Sequence, residues 1–267
     1  MARDDARPAH KLKHLILTAD DFGRSPAVNE AVMRHHAAGF LTQASLMVNE
    51  PHADDAVRLA QAQPGLCIGL HLTLCAGPAS APSAITDAAG AFVSSPARAG
   101  LRYFFGRKCE GALRSEIRAQ FERFRAFGLA PSYWDGHAHL HLHPTVLRLT
   151  LPVAHEFGFR FVRLVREPGA LLPWIFRRLS ERARPALFAR CMDYADRVLG
   201  LRDTGRMDTA AFARLLERLP RGTSEIYFHP GAEPAELDLP RLRDIFKQRR
   251  IQLTSASARL TPPRSAR

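Results

Sequence analysis

Strand-like and helix-like stretches alternate along most of this 267-residue chain, and that rhythm permits few folds. Short apolar runs at 14–19, 42–48, 66–74, 133–137, 159–165, 224–229 and 251–254 read as strands. Between them, 26–38, 52–63, 112–127, 145–157, 208–219 and 236–249 read as helices, several closed by Gly39, Pro64-Gly65 or Gly158. The pattern is clearest at 112–127, with Leu113, Ile117, Phe121 and Phe124 on one face and charges on the other. Repeated strand–helix units predict an α/β protein with a parallel sheet. The length and about seven units favour a distorted (β/α) TIM-like barrel, with a doubly wound open sheet as the alternative. No Gly-x-Gly-x-x-Gly or Walker pattern is present, so a nucleotide cofactor has no support. We expect one barrel domain with its core at about 14–255 and flexible ends at 1–10 and 258–267.

Four strand ends carry chemistry. The first ends in Asp20-Asp21, two carboxylates that repel unless a cation keeps both ionised. Their side chains diverge, so one can bind metal while its neighbour takes a proton. A helix cap is already available in Ser25, with Pro26 at the first helical position, which weakens the capping explanation for the acidic pair. The third strand carries His71 near its end, and another ends in His229 before Pro230-Gly231. The fourth feature is the run from Asp135 to Pro144, where His137, His139, His141 and His143 fall at every second position. Read as extended chain, that spacing aims several imidazoles to one side. Imidazole is the commonest metal ligand among side chains and titrates near neutrality.

Two stretches interrupt the rhythm. Residues 75–108 are rich in small residues and end in Leu101-Arg102-Tyr103-Phe104-Phe105; residues 166–206 hold a basic amphipathic helix around Trp174-Ile175-Phe176-Arg177-Arg178. Both follow strands, so both are expected over the site face. Aromatics beside Arg suit an interfacial anchor; they also suit a lid or a dimer contact.

The formal charge is +12, carried mostly by Arg spread along the chain with no nucleic-acid-binding signature, so no nucleic-acid partner is expected. There is no run of eighteen apolar residues, and the start is charged and lacks the apolar middle of a signal peptide. Cys67, Cys75, Cys109 and Cys191 form no Cys-x-x-Cys pair and read as reduced thiols of a cytoplasmic protein.

Thr-Ala-Asp-Asp-Phe-Gly (18–23), Gly-Leu-His-Leu-Thr-Leu (69–74), Asp-Gly-His-Ala-His-Leu-His (135–141) and His-Pro-Gly (229–231), in this order, resemble the YdjC-like carbohydrate deacetylases over about 14–255. Ala-Ser-Leu-Met-Val-Asn (44–49), Arg-Tyr-Phe-Phe (102–105) and Val-Arg-Leu-Val-Arg-Glu-Pro (162–168) look like the hopanoid-biosynthesis-associated branch of that family. The resemblance implies a barrel related to the polysaccharide deacetylases and one divalent metal ion. It places metal ligands at Asp21, His71 and His137, a general base at Asp20 and a general acid at His229. Asp135 and Arg163 would orient these groups; of His139 and His141, one would touch substrate and the other would be structural. One carboxylate and two imidazoles suit zinc better than magnesium, yet the resemblance points to magnesium in some relatives. The implied substrate is an N-acetylated amino sugar, most specifically an N-acetylglucosaminyl hopanoid lipid, with a chitooligosaccharide as the alternative. The basic aromatic insertions suit peripheral contact with the inner membrane surface, and the resemblance implies a homodimer. Competing readings are another metal-dependent amidohydrolase or phosphoesterase, and a metal-storage protein using the His run.

Overall fold

A computed structural model describes residues 12–63, 65–232 and 236–260. Its central strand is β1 (Lys13–Phe22), whose Leu15, Ile16 and Leu17 are wholly buried. Around it run β2 (Gln43–Leu46), β3 (Cys67–Leu72), β4 (Tyr133–Gly136), β5 (Phe161–Val162), β6 (Arg197–Leu199) and β7 (Gly222–Phe228). The hydrogen-bonded order is β5-β4-β3-β2-β1-β7-β6, with every pairing parallel. The sheet curls until its end strands approach: Phe161 bridges Asp193, just ahead of β6, and Asp193 N–H donates to Arg160 O at 2.7 Å. This is the TIM-like barrel expected, with a narrow seam between β5 and β6. An eighth strand, β8 (Ile251–Thr254), lies beside the first half of β1, while β2 pairs only with its second half.

Helices α1 (Pro26–Ala37), α2 (Ala53–Gln61), α4 (Glu110–Ala126), α5 (Pro144–Glu156), α7 (Thr209–Glu217) and α8 (Leu239–Arg249) fall where the periodicity placed them. Ser25 Oγ accepts from Val28 N–H at 3.3 Å with Pro26 following, as the sequence implied. On α4, Leu113, Ile117, Phe121 and Phe124 are buried, each contributing roughly 1.5–3 kcal/mol. The division of that helix into apolar and solvated faces is corrected at Glu116 and Gln120, which are also buried. Glu116 accepts from Ser80 N–H and Asn49 Nδ2 and so ties the first insertion to the barrel, while Gln120 Nε2 donates to Thr73 O just after β3. At Gly69 on β3, any Cβ would overlap the Tyr133 ring, so only glycine lets β4 lie this close.

Helices α3 (Pro96–Phe105) and α6 (Leu171–Phe188) lie within the two insertions; the former went unread despite its Ser95-Pro96 start. Of the expected flexible ends, 1–10 and 261–267 lie outside the described residues. Residues 258–260 belong instead to a short helix, α9 (Ala256–Leu260), held by Ser255 Oγ on Ala258 N–H and by buried Ala256, whose N–H donates to Gln43.

Candidate functional site

Parallel strands of a barrel deliver their last side chains to one rim, where such folds build sites. Here that rim receives Asp20 and Asp21 from β1, His71 from β3, Asp135 from β4 and His229 just after β7. Neighbours on a regular strand point to opposite faces. At Asp21 the register with β2 slips and φ turns to +63°, a left-handed bulge that costs roughly 1–2 kcal/mol in a non-glycine residue. The bulge sends both buried carboxylates into one space.

Asp21 Oδ1 lies 3.3 Å from His71 Nε2 and 3.0 Å from His137 Nδ1. The three donor atoms all fall within 4.8 Å of one another. Arg24 Nη1 donates to the other Asp21 oxygen at 2.6 Å. Burial alone would raise the Asp21 carboxyl, but hydrogen bonds from His137 and His71 outweigh it and hold the group well below the carboxylate range. His71 Nδ1 donates to Asp135 Oδ1 at 2.7 Å. Burial opposes a charged imidazole there, yet the Asp135 and Asp20 carboxylates push His71 up to about 10. Asp20, Asp21, Asp135 and Glu225 face two guanidiniums, Arg163 and Arg24. A buried, convergent set of one carboxylate and two imidazoles, with carboxylates outnumbering guanidiniums around it and one of them behind His71, fits a divalent metal ion.

Arg163 sits behind this group with its guanidinium fully buried. Nη1 and Nη2 form a bidentate pair with Asp20 at 2.7 and 2.8 Å, Nη2 also reaches Asp135 Oδ2 at 2.8 Å, and Nε reaches Glu225 Oε1 at 2.9 Å. A second convergent group, Asp20, His71 and Asp135, shares His71 with the first, and both of its carboxylates pair with Arg163.

The extended reading of the His run is corrected. Residues 137–142 form a kinked 3-10 turn with Ala138 and His139 in the left-handed region. The two left-handed residues break the two-residue alternation of an extended chain, so alternate imidazoles scatter instead of converging. His137 turns to Asp21. His139 Nε2 meets Tyr227 Oη at 2.9 Å, and its ring lies 5.2 Å from that of Phe176 on α6. His141 Nε2 donates to Arg163 O at 2.9 Å, and His143 ends up 6.1 Å from the Phe104 ring. His229 belongs to neither convergent group; it is half-buried, its ring 6.1 Å from Tyr227.

Three participants escaped the sequence reading. Ser45 Oγ donates to Asp135 Oδ2 at 2.7 Å, Tyr227 lies under the Arg163 guanidinium at 4.7 Å, and Glu225 holds Nε. A signal existed for two of them. In β7, Glu225, Tyr227 and then His229 share one face at period two, and a carboxylate within an apolar strand needs a buried cation.

Burial holds His141 down at about 4, against an ordinary 6.5. Between those values the unfolded chain takes up a proton that the native state refuses, so this group's share of stability falls as pH drops through that window. Glu50, Glu167 and Glu225, raised by burial, titrate with the opposite sign. The test is therefore a difference. The stability advantage of wild type over His141→Asn should shrink by about 3 kcal/mol from pH 7 to pH 4, at 1.36 kcal/mol per unit. Urea unfolding at both pH values measures it; a constant gap sinks the prediction.

The sequence profile described as YdjC-like protein matches residues 14–259. The chain is 38% identical over 171 residues to a carbohydrate deacetylase of Brevibacillus brevis, covering 63% of this chain and 62% of that one. It is 33% identical over 244 residues to a carbohydrate deacetylase of Mus musculus, covering 81% and 77%. The match thus spans less than two thirds of the Brevibacillus protein. In fold, the chain is similar to a candidate cellobiose-phosphate cleavage protein of Enterococcus faecalis V583, with a TM-score of 0.70 and 22% identity over 92% of this chain and 98% of that one.

Proposed function

The chain belongs to the YdjC-like family, and from that premise we propose that it is a metal-dependent hydrolase that removes the acetyl group from an N-acetylated amino sugar. The observation that carries this reading is the buried Asp21–His71–His137 group with a second carboxylate, Asp20, beside it. The relatives named carbohydrate deacetylase support the same chemistry.

In this reading Asp21, His71 and His137 hold one divalent ion, zinc or magnesium. When bound, such an ion supplies Lewis acidity, polarising an amide carbonyl and making a water easier to deprotonate. Asp20 takes the proton of the attacking water as its oxygen bonds to the carbonyl carbon. Arg163 grips both Asp20 oxygens and fixes their position. Asp135 keeps His71 presenting Nε2 to the ion. His229 gives a proton to the amine nitrogen as the C–N bond breaks, leaving acetate and a free amino sugar. His139 borders the substrate space, with Tyr227 fixing its ring. One barrel domain carries all these roles.

We assign the aglycone to a hopanoid lipid. Among the described residues, every exposed large apolar side chain except Leu12 belongs to the two insertions: Leu101, Phe104 and Phe105 near α3, and Leu171 to Phe188 on α6. Both helices touch the 137–142 turn. An apolar rim around the site suits an amphiphile, and Arg177 and Arg178 suit the anionic surface of a membrane that such a lipid occupies. No helix among the described residues is long and apolar enough to cross a membrane, so contact would be peripheral.

Acetate release is the deciding assay, with metal stripped and restored, on N-acetylglucosaminyl hopanoid beside diacetylchitobiose. Metal-dependent release with preference for the lipid is the expected result. Release from chitobiose alone moves the substrate to oligosaccharides. No release from either overturns the deacetylase reading in favour of another amidohydrolase.

A further inference from the structure

A cavity outside the candidate site lies between β6, the loop that follows it and α7. It has a volume of about 630 Å³, and five arginines line it: Arg197, Arg202, Arg206, Arg214 and Arg218. Two carboxylates share the lining, and neither neutralises the group. Glu167 is buried and accepts from the backbone N–H groups of Gly200, Leu201 and Arg202 at 3.2, 2.8 and 3.3 Å, so it is spent on shaping the loop. Asp203 pairs with Arg214 alone, at 3.2 Å. Arg206 bonds a backbone carbonyl, Arg202 O, at 3.3 Å. Arg197, Arg202 and Arg218 have no ion-pair partner among the described residues. Like charges gathered in a concave wall repel, and a strong local field favours an anionic occupant.

We propose that this cavity binds a phosphate group, free or as a monoester. The guanidinium fork matches the oxygens of a phosphate in bidentate fashion, and a dianion offsets most of the positive surplus that the two carboxylates leave. The loop that carries Arg202, Asp203 and Arg206 also carries Thr204, which reaches towards the candidate site. Thr204 bonds Gly200 O at 2.9 Å and lies 3.5 Å from Tyr227 Oη, the partner of His139. The proposal does not rest on the deacetylase reading, since binding is measured without turnover.

Calorimetric titration of the metal-loaded protein with inorganic phosphate, and separately with glucose 6-phosphate beside glucose, tests it. Saturable binding of either phosphate but not of glucose is expected. Tighter binding of the ester marks an organic phosphate as the ligand; equal binding marks the free anion. Arg202→Gln with Arg218→Gln should weaken binding at least 10-fold. Arg148→Gln with Arg182→Gln, the same charge loss elsewhere, should leave it unchanged. Arg197→Gln alone, an exposed change, serves as a second variant should the double variant fold poorly, and should weaken binding several-fold. No binding by wild type overturns the proposal. So does equal weakening by the control pair, which reports net charge only. Binding indifferent to all cavity arginines, as at the Asp21 group, overturns it too.

Discussion

Asp20→Asn is expected to lower acetate release by about 10²–10⁴-fold, the usual worth of a positioned general base. Asparagine keeps the size of aspartate and one oxygen for Arg163, but it cannot take a proton at neutral pH. The loss should fall on kcat, because Asp20 lies outside the group of Asp21, His71 and His137 that would hold the ion. Metal content should therefore stay near that of wild type, measured by elemental analysis of the purified protein. Asp21→Asn should do the reverse and lose the metal with the activity. Unchanged kcat in Asp20→Asn would remove the base from the mechanism. Loss of metal in that variant would reassign Asp20 as a ligand.

Arg163→Met is expected to destabilise the protein by about 3–5 kcal/mol, the cost of leaving buried charges without their partner. Three carboxylates depend on this one guanidinium: Asp20, Asp135 and Glu225. The surrounding wall offers little relief, because Glu225 Oε2 already lacks a hydrogen-bond partner. The pH dependence identifies the cause. In wild type, burial would raise Asp135, but Arg163 and His71 outweigh it and hold the carboxyl below its ordinary range. Without Arg163 the carboxylates gain protons more readily in the native state. The variant should then recover part of its deficit as pH falls from 7 towards 5. Urea unfolding at several pH values measures this, and a deficit independent of pH would mean that packing alone was lost. Arg163→Lys keeps a charge but not the fork, so it should lie between wild type and Met.

These two predictions differ in what made them visible. Asp20 could be read from the sequence, since two carboxylates ending an apolar run are costly without a cation. Arg163 entered only by resemblance to the wider deacetylases, and its three-way role required Glu225 and Asp135 to be seen beside it. The alternation of strands and helices was legible because each element must bury one face, and burial leaves a period in the chain. The short strand β6 left none: three residues, of which Val198 alone is fully buried, are too few to show one.

The sequence by itself determined the strand–helix alternation of the barrel and which acidic and imidazole residues end its strands. Hydrophobic periodicity is local, and the ends of parallel strands must share one rim. It did not determine where the imidazoles point. Alternate spacing in the His run suggested one shared space, but a 3-10 turn with two left-handed residues sent His137 to Asp21, His139 to Tyr227 and His141 to Arg163 O. A side chain's direction depends on backbone torsions that the surrounding contacts select. Those contacts come from residues far away in the chain: Asp21 is 116 positions from His137, and Tyr227 is 88 from His139. Only the closed barrel brings them near enough to choose.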